Sequence, residues 1–303
     1  MATAQATKAT EPRGTAKAKA PRSAQRTTLW GWLLALPTAW MVAFFVSSMV
    51  IIVLLSFGRT TNDGYPVFAT STANYRAIWN EVYLELFLRS LTYAVATVFI
   101  SALIAYPVAY VIALHGGRYK NALIAAIVVP FFASYLIRMY AWKALLSDDG
   151  LVNSALRGLG LGGITFLNTP WAVIGGLVYG FVVFMILPVY ASLERMDVSL
   201  IEAGKDLYHG PLRTFVTVTL PATRAGLYGG MLLVFLPALG DFVSAQLLGG
   251  PRTYMIGNLI QQQFAEGQNW PLGSAMTVAM MAALTVLMMV YLRATTTRTR
   301  EQP

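Results

Sequence analysis

The chain has 303 residues, of which 56% are hydrophobic and only 12% are charged, and its formal net charge is +9. Soluble domains carry about 25% charged residues, so this composition predicts a polytopic membrane protein. The sequence has no cysteine, which excludes a disulfide framework, a thiolate nucleophile and a cysteine-ligated zinc site. The positive charge is concentrated at the ends of the chain, which favours membrane orientation over nucleic-acid binding.

The N-terminal segment, residues 1–28, is rich in alanine, threonine and basic residues and has no apolar core. Such a segment cannot bury enough surface to fold, so we expect a disordered tail. The apolar run that follows is too long for a cleaved signal peptide. The remaining sequence predicts one transmembrane domain at residues 29–293 and a C-terminal tail at residues 294–303.

Six apolar runs are long enough to cross a bilayer as helices, for which about 20 residues suffice. The third run contains Pro130, and the fifth contains Pro237 and Asp241. The pattern therefore predicts an all-helical polytopic membrane protein with six transmembrane helices. The predicted spans are residues 30–57, 90–114, 122–146, 171–191, 225–248 and 271–292.

Lysine and arginine are distributed unevenly over the segments between these spans. Fifteen of the 22 lie in the N-terminal tail, at residues 118–120, in the loop 192–224 and after the last span at residues 293–300, which share one side of the membrane. Four lie in the opposite loops, 58–84, 147–170 and 249–270. The positive-inside rule therefore predicts that both termini and the loop 192–224 are cytoplasmic.

The loop 192–224 contains a helical pattern. Ser199 and Glu202 have the spacing of a capping box, which predicts that a helix begins at Ser199, and Gly210 followed by Pro211 predicts where it ends. One face of this helix would present a narrow apolar stripe to a docked partner. On the pattern alone, an interfacial amphipathic helix is an equal alternative. The stripe consists of Leu200, Gly204, Leu207 and Pro211.

This loop resembles the cytoplasmic EAA loop of ABC-importer permeases, which forms a coupling helix that binds the ATPase subunit. The Glu-Ala pair and the later Leu-Pro pair match at the family's spacing. Gly204 replaces the second alanine of the motif, and Tyr208 stands where the family has glycine. The residues to which the resemblance assigns ATPase coupling are Ser199, Glu202, Ala203, Gly204, Leu207, Tyr208, Gly210, Leu220 and Pro221.

Further sequence blocks resemble the first membrane subunit of the spermidine/putrescine ABC importers, a family of type I importer permeases. The resemblance covers about residues 30–292 and implies a bacterial inner-membrane location. It also implies three partners: a second homologous permease that completes a heterodimer, an ATPase dimer and an extracytoplasmic polyamine-binding protein. The blocks are residues 136–142, 176–180, 235–242, 247–251, 255–258 and 270–274.

Motifs for catalysis are missing from the sequence. No Gly-x-x-x-x-Gly-Lys-Ser/Thr segment occurs, and no metal-binding or nucleophile motif is found. We therefore expect a transport subunit that is not an enzyme and binds no cofactor, with ATP and magnesium held by the separate ATPase subunit.

Asp241 is the most informative residue within the spans, because an intramembrane carboxylate is costly and marks a functional site. A helix rising 1.5 Å per residue from Arg224 places Asp241 roughly 25 Å from the cytoplasmic face. One interpretation is that Asp241 receives a cationic substrate together with nearby aromatic rings. The other is an ion pair with Arg138, at similar depth on the third span. The rings are those of Tyr135, Tyr179 and Phe242.

The sequence thus predicts a permease subunit that forms half of a translocation pathway for polyamine-like cations. Two alternatives stay open. One is an ABC permease for another small solute, such as an amino-acid derivative, an opine, a metal ion or an anion. The other is an ion-coupled secondary transporter, which usually shows repeat symmetry and intramembrane charge relays.

Overall fold

The computed structural model of the protein describes residues 24–61, 64–79, 81–207 and 210–300. These residues are helical almost throughout, and their one sheet is a two-stranded antiparallel pair of β1 (Arg59–Thr60) and β2 (Pro66–Val67). The helices are α1 (Ala24–Ser56), α2 (Ala73–Ile78), α3 (Glu81–Tyr110), α4 (Lys120–Val128), α5 (Tyr135–Leu146), α6 (Leu151–Gly158), α7 (Pro170–Glu194), α8 (Ser199–Asp206), α9 (Pro211–Thr214), α10 (Leu220–Gly240), α11 (Val243–Leu248), α12 (Ile256–Ala265) and α13 (Trp270–Arg300).

Short irregular turns join several of these helices. They are the π-helical turns Val111–His115 and Phe215–Thr219 and the 3₁₀ turns Gly117–Tyr119, Val129–Phe132 and Pro251–Thr253. The π turns extend α3 at its end and lead into α10 at its start.

The chain divides into two compact units, Met1–Ile51 and Ile52–Pro303. In the first unit, α1 begins at Ala24, inside the segment predicted to be a tail, and residues 1–23 lie outside the described part of the chain. In the second unit, α13 continues to Arg300, beyond the predicted end of the domain at residue 293. Helical structure therefore extends into both segments that were predicted to be tails.

Five described helices are long and apolar enough to cross a membrane, and a sixth candidate is a pair of helices bent by 92°. These candidates overlap the six predicted spans, but the third predicted span is the bent pair, and the candidate that overlaps the fifth predicted span begins at Pro211 and ends at Gly240, before the predicted end at residue 248. The candidates are Leu34–Ser56, Val82–His115, Pro170–Glu194, Pro211–Gly240, Trp270–Thr295 and the bent pair Gly117–Phe132 with Tyr135–Gly158.

Helix α7 is the centre of the second unit, packed between α3 and α10. Its N-terminus is fixed by Thr169, whose hydroxyl accepts a hydrogen bond from the backbone N–H of Ala172 at 3.2 Å, and by Pro170 in the first turn. A helix that is apolar on all sides lies in a protein core or in lipid, and in α7 thirteen of the 25 residues are buried. Side chains that meet with no solvent exposure are Ala105 and Ala109 of α3, Met185 and Val189 of α7, and Val234 of α10.

Two glycines of α7 allow neighbouring elements to approach closely. A Cβ atom at Gly176 would lie 2.4 Å from Leu248 Cδ1, and one at Gly180 would lie 2.7 Å from Tyr135 Cε2. Small residues spaced by four are the usual device for close helix contact in membranes. The block 176–180 therefore brings α11 and the start of α5 against α7.

We expect Gly180→Ala to lower the thermal unfolding midpoint of the purified protein, since the added methyl group would push on the Tyr135 ring and overpacking costs about 1–3 kcal/mol. Gly175→Ala is the matched control, because no neighbouring atom lies within 4 Å of its Cβ position. Alanine is favoured over glycine in a helix by about 1 kcal/mol, so this control should be neutral or stabilising. Equal midpoints for the two variants would contradict the close contact.

Candidate functional site

The third span is broken in its middle. The 3₁₀ turn ends at Phe132, the backbone is extended at Ala133 and Ser134, and α5 then begins at Tyr135. The prediction of a continuous helix over residues 122–146 is therefore wrong. Pro130 in the 3₁₀ turn has no N–H to donate, so the helix that precedes it cannot continue through this turn with all its hydrogen bonds.

The fifth span is broken as well. Helix α10 ends at Gly240, Asp241 has an extended backbone, and α11 restarts the helix at Val243. The predicted span 225–248 is thus wrong in its last third. The Asp241 carboxylate accepts a hydrogen bond from the backbone N–H of Ser244 at 2.7 Å. Such a side-chain bond offers the backbone an alternative to helix geometry.

The two breaks meet at Tyr135. Its hydroxyl donates to Asp241 Oδ2 at 2.8 Å and lies 2.6 Å from Ser244 Oγ. Because the tyrosine has one proton and gives it to the carboxylate, the serine hydroxyl is the donor in the second bond. Asp241 is only 7% exposed. Both carboxylate oxygens therefore have partners within the protein.

Helix α12 supports the second break from the other side. The Asn258 side chain donates from Nδ2 to the Phe242 carbonyl at 2.8 Å and accepts from the Met255 N–H at 3.0 Å. A Cβ atom at Gly257 would lie 2.8 Å from the Gly240 carbonyl oxygen and 2.9 Å from that of Asp241. Residues 255–258 thus provide a hydrogen-bond donor for the non-helical backbone at the second break and pack closely against it.

Arg138 does not form the ion pair with Asp241 that one interpretation of the sequence required. Among the described residues the ion pairs are made by other side chains, and Arg138 Nε is buried without a hydrogen-bond partner. The Arg138 guanidinium instead lies over aromatic rings, including those of Tyr135 at 5.5 Å and Tyr179 at 5.8 Å. The carboxylate of Asp241 and the guanidinium of Arg138 are therefore not paired with each other.

The aromatic residues of this region form a continuous cluster. Phe181 stacks on Tyr135 with ring centroids 5.6 Å apart, and Trp142 packs edge-on against Tyr179 at 5.3 Å. Tyr179 and Phe242 are partly open, with 38% and 37% of their surfaces exposed. The structure thus brings Tyr135, Tyr179 and Arg138 together, with Asp241 bound to Tyr135 and Phe242 next to it in the chain.

The helix of the loop 192–224 begins differently from its prediction. Ser199 does not cap α8 with its side chain, so the predicted capping box is wrong. The Asp197 carboxylate instead accepts from the Ser199 N–H at 3.0 Å. Hydrogen bonds from the Ser199 side chain and backbone lower the pKa of Asp197 from its ordinary value. An aspartate two residues earlier takes over the role because it is the stronger acceptor.

The helix also ends sooner than predicted, at Asp206, and Pro211 starts the separate helix α9. Gly204 is buried, and a Cβ atom there would lie 2.9 Å from Thr214 Cγ2 and 3.1 Å from Val218 Cγ2. The predicted stripe therefore does not form one outward face, because Gly204 packs α8 against the following turns.

The remaining residues that were predicted to contact the ATPase differ in their positions. Glu202 and Ala203 are exposed, whereas Leu220 and Pro221 lie in the first turn of α10. Tyr208 lies outside the described residues, and Gly210 directly precedes α9. The large exposed apolar side chains described in this loop are Val198, Leu200, Leu207, Leu212 and Val216, at 51%, 48%, 70%, 76% and 52% exposure.

Residues 27–301 match the family described as binding-protein-dependent transport system inner membrane component. The chain belongs to this family. The prediction of a membrane subunit of a transport system is thereby confirmed, as is the recognition of an ABC-importer permease.

Relatives with assigned names support the same class. This permease is 35% identical over 263 residues to the spermidine/putrescine transport system permease protein PotB of Haemophilus influenzae, covering 86% of this chain and 92% of that protein. It is 34% identical to PotB of Escherichia coli K12, covering 84% and 94%. It is also 36% identical to the inner membrane ABC transporter permease protein YdcU of that organism, covering 81% and 83%.

Solved structures confirm the predicted type I importer permease fold. A chain of a bacterial ABC transporter involved in alginate import matches with a TM-score of 0.68 at 19% identity, covering 92% of this permease and 98% of that chain. A chain of the MetNI methionine ABC transporter matches with a TM-score of 0.52 at 17% identity, covering 71% and 97%. At these identities the likeness establishes the fold alone.

Sequence reasoning missed Ser244, Asn258 and Gly257 as parts of the site. The spacing Asp241-x-x-Ser244 was a usable signal, because an aspartate often binds the backbone a few residues ahead and so interrupts a helix. Nothing local indicated Asn258, whose partner Phe242 is 16 residues away in the chain.

We expect Tyr135→Phe and Asp241→Asn each to lower the thermal unfolding midpoint of the purified permease complex. Tyr135→Phe removes a hydrogen bond to a charged group, and Asp241→Asn removes the charge of that group. Hydrogen bonds to charged groups contribute about 1.5–3 kcal/mol to stability. The double variant should lose less than the sum, since both changes act on one bond. Asp149→Asn is the control, because that carboxylate is 98% exposed. Strictly additive losses would show that the Tyr135–Asp241 bond does not hold the breaks together.

Proposed function

We propose that this permease forms half of the transmembrane pathway of an ATP-driven importer for spermidine- or putrescine-like cations. The observation that carries the proposal is a buried carboxylate beside open aromatic rings where two broken spans meet, in a chain 34–35% identical to permeases named for these solutes. Broken spans are a frequent place for substrate sites, because non-helical backbone at membrane depth must be buried in protein or line a cavity.

The chemistry of the site suits an organic cation that has to pass through. The open faces of Tyr179 and Phe242 offer cation–π contacts of about 0.5–2 kcal/mol each. Asp241 gives its oxygens to protein donors, so it acts on the substrate through its field and not by direct binding. A pathway must hold its solute weakly enough to release it. One shielded carboxylate beside aromatic rings meets this requirement.

The proposed partners supply what the chain lacks. A second related permease completes the pathway, an ATPase dimer binds ATP and magnesium, and an extracytoplasmic binding protein delivers the solute. In this arrangement the termini and the loop 192–224 face the bacterial cytoplasm. The exposed Leu200, Leu207 and Leu212, with Glu202 beside them, form the surface that contacts the ATPase.

A second candidate substrate class is a solute that carries a carboxylate, such as an amino-acid derivative. The observation that favours it is Arg138, a cation that makes no ion pair among the described residues and whose Nε is buried without a hydrogen-bond partner. Guanidinium groups bind carboxylates through paired hydrogen bonds. In that case the carboxylate of the solute would form the ion pair with Arg138 that no described carboxylate of the protein forms.

The deciding experiment is uptake into proteoliposomes that contain both permeases, the ATPase and the binding protein. We expect ATP-dependent accumulation of radiolabelled spermidine and putrescine, and none of glutamate or arginine. A vesicle preparation without the binding protein is the control. Accumulation of a carboxylate-bearing solute instead of a polyamine would replace the first proposal with the second.

A labelling experiment tests the orientation and the docking surface together, using the absence of native cysteine. We expect Leu200→Cys to react with a membrane-impermeant maleimide in inverted vesicles only, and more slowly when the ATPase is bound, because the partner covers it. Leu161→Cys, 67% exposed in the loop 147–170, is the control and should react in intact cells. Reaction of Leu200→Cys in intact cells would reverse the topology, and equal rates with and without ATPase would remove the docking surface.

A further inference from the structure

Arg138 occupies an unusual position within the site. Its Cζ atom lies 5.0 Å from the ring centroid of Phe131, 5.5 Å from that of Tyr135 and 5.8 Å from that of Tyr179. All three distances fall within the range of cation–π contact. The guanidinium thus has three aromatic neighbours, each from a different element: the 3₁₀ turn before the break, α5 and α7.

The charge of Arg138 has no acid to balance it in the described part of the chain. Its Nε is buried without a hydrogen-bond partner, and no described carboxylate makes an ion pair with it. Asp241 binds Tyr135 and Ser244 instead. Arginine stays protonated in proteins. An unbalanced charge within a membrane span is costly and is kept for a function.

The surroundings of Arg138 are those of a binding site for cations. Aromatic rings that converge on one point form the cages with which proteins bind organic ammonium groups. We define the aromatic cage as Phe131, Tyr135 and Tyr179. The cage is open on one side, since Tyr179 is 38% exposed. Its occupant in this structure is a side chain of the protein itself.

We propose that Arg138 is an internal occupant of this aromatic cage, and that an ammonium group of the transported cation binds the cage by displacing it. The inference rests on the proposed function and adds the role of one residue to it. Two cations cannot share three rings, because like charges at contact distance repel each other. Arg138 therefore competes with the solute, weakens its binding and closes the cage when no solute is present.

This role differs from that of a packing residue or of an anion receptor. A packing residue would affect stability without any dependence of solute binding on its charge. An anion receptor near the pathway would also bind cations more tightly once its charge is removed, because repulsion is relieved, but that gain would not depend on the ring of Tyr179. Only an occupant of the aromatic cage predicts a gain in cation binding that is lost together with the Tyr179 ring.

The first test measures binding of radiolabelled spermidine to the permease–ATPase complex in nanodiscs, without the binding protein. We expect Arg138→Met to lower the Kd by about 3- to 30-fold, the range that corresponds to one cation–π contact. Arg138→Lys retains the charge and should bind as weakly as the wild type. The matched control is Lys143→Met on the same helix, an exposed residue whose change should leave the Kd unaltered.

The cage itself is tested by adding Tyr179→Leu to Arg138→Met. Removal of the ring should abolish the gain in affinity, since the ammonium group loses one of its contacts. An Arg138→Met complex that binds spermidine no more tightly than the wild type would overturn the proposal. A gain that survives the loss of Tyr179 would overturn the assignment of the cage.

A chemical version of the test avoids comparing separately folded variants. In the cysteine-free chain, Arg138→Cys can be modified with a cationic methanethiosulfonate that restores a charge or with neutral methyl methanethiosulfonate. We expect tight spermidine binding after the neutral reagent and weak binding after the cationic one. The unsubstituted chain treated in the same way is the control. Equal affinity after both reagents would exclude competition by charge.

The outcomes separate this inference from the proposed function. If the wild-type system imports no polyamine, the substrate proposal fails before Arg138 is examined. If it imports polyamines and binding is independent of the charge at position 138, the substrate proposal stands and the inference alone is overturned.

Discussion

A peptide group in the hydrocarbon core of a membrane has no water to bind, so a spanning helix can be interrupted only where the protein supplies the missing partners. Both interruptions in this permease meet that condition at one place. Asp241 accepts from the Ser244 backbone and the Tyr135 hydroxyl, and Asn258 donates to the Phe242 carbonyl. Glycines at positions 180 and 257 allow the required approach. The packing of four elements thus follows from satisfying two short segments of backbone.

Under the proposed function, the same junction determines which groups are open to a solute. Asp241 is the carboxylate of the site, and its oxygens are engaged by protein donors, so the open surfaces are aromatic. Rings attract an organic cation with modest energy and little geometric demand. Arg138 sets a further limit because it already lies among those rings. Weak and contested binding is what a conducting pathway needs, since a deep well would slow release.

In the loop 192–224, internal packing buries one side of the short helix α8 and leaves its other side exposed. Gly204 takes α8 into contact with Thr214 and Val218, which fixes the helix on its own protein. The leucines at positions 200 and 207 then point away from that contact and remain exposed. Because Gly204 serves the internal contact, a bulky substitution there would disturb the loop before it affected any partner.

Hydropathy, charge and motif spacing determined the membrane class, the approximate positions of the candidate spans, the transporter family and the presence of a carboxylate, Asp241, within an apolar run. These properties are local: an apolar run or a carboxylate within it can be recognised without knowing its neighbours. Only the tertiary structure decided that the third and fifth spans are broken, that Asp241 binds Tyr135 and not Arg138, and that Asp197 binds the Ser199 N–H at the start of α8. The main partner of Asp241 explains the difference, because Tyr135 is 106 residues away in the chain and meets Asp241 only where α5 and α11 pack against each other and against α7. Hydrogen bonds of that kind depend on where helices lie relative to one another, which no pattern within a single segment contains.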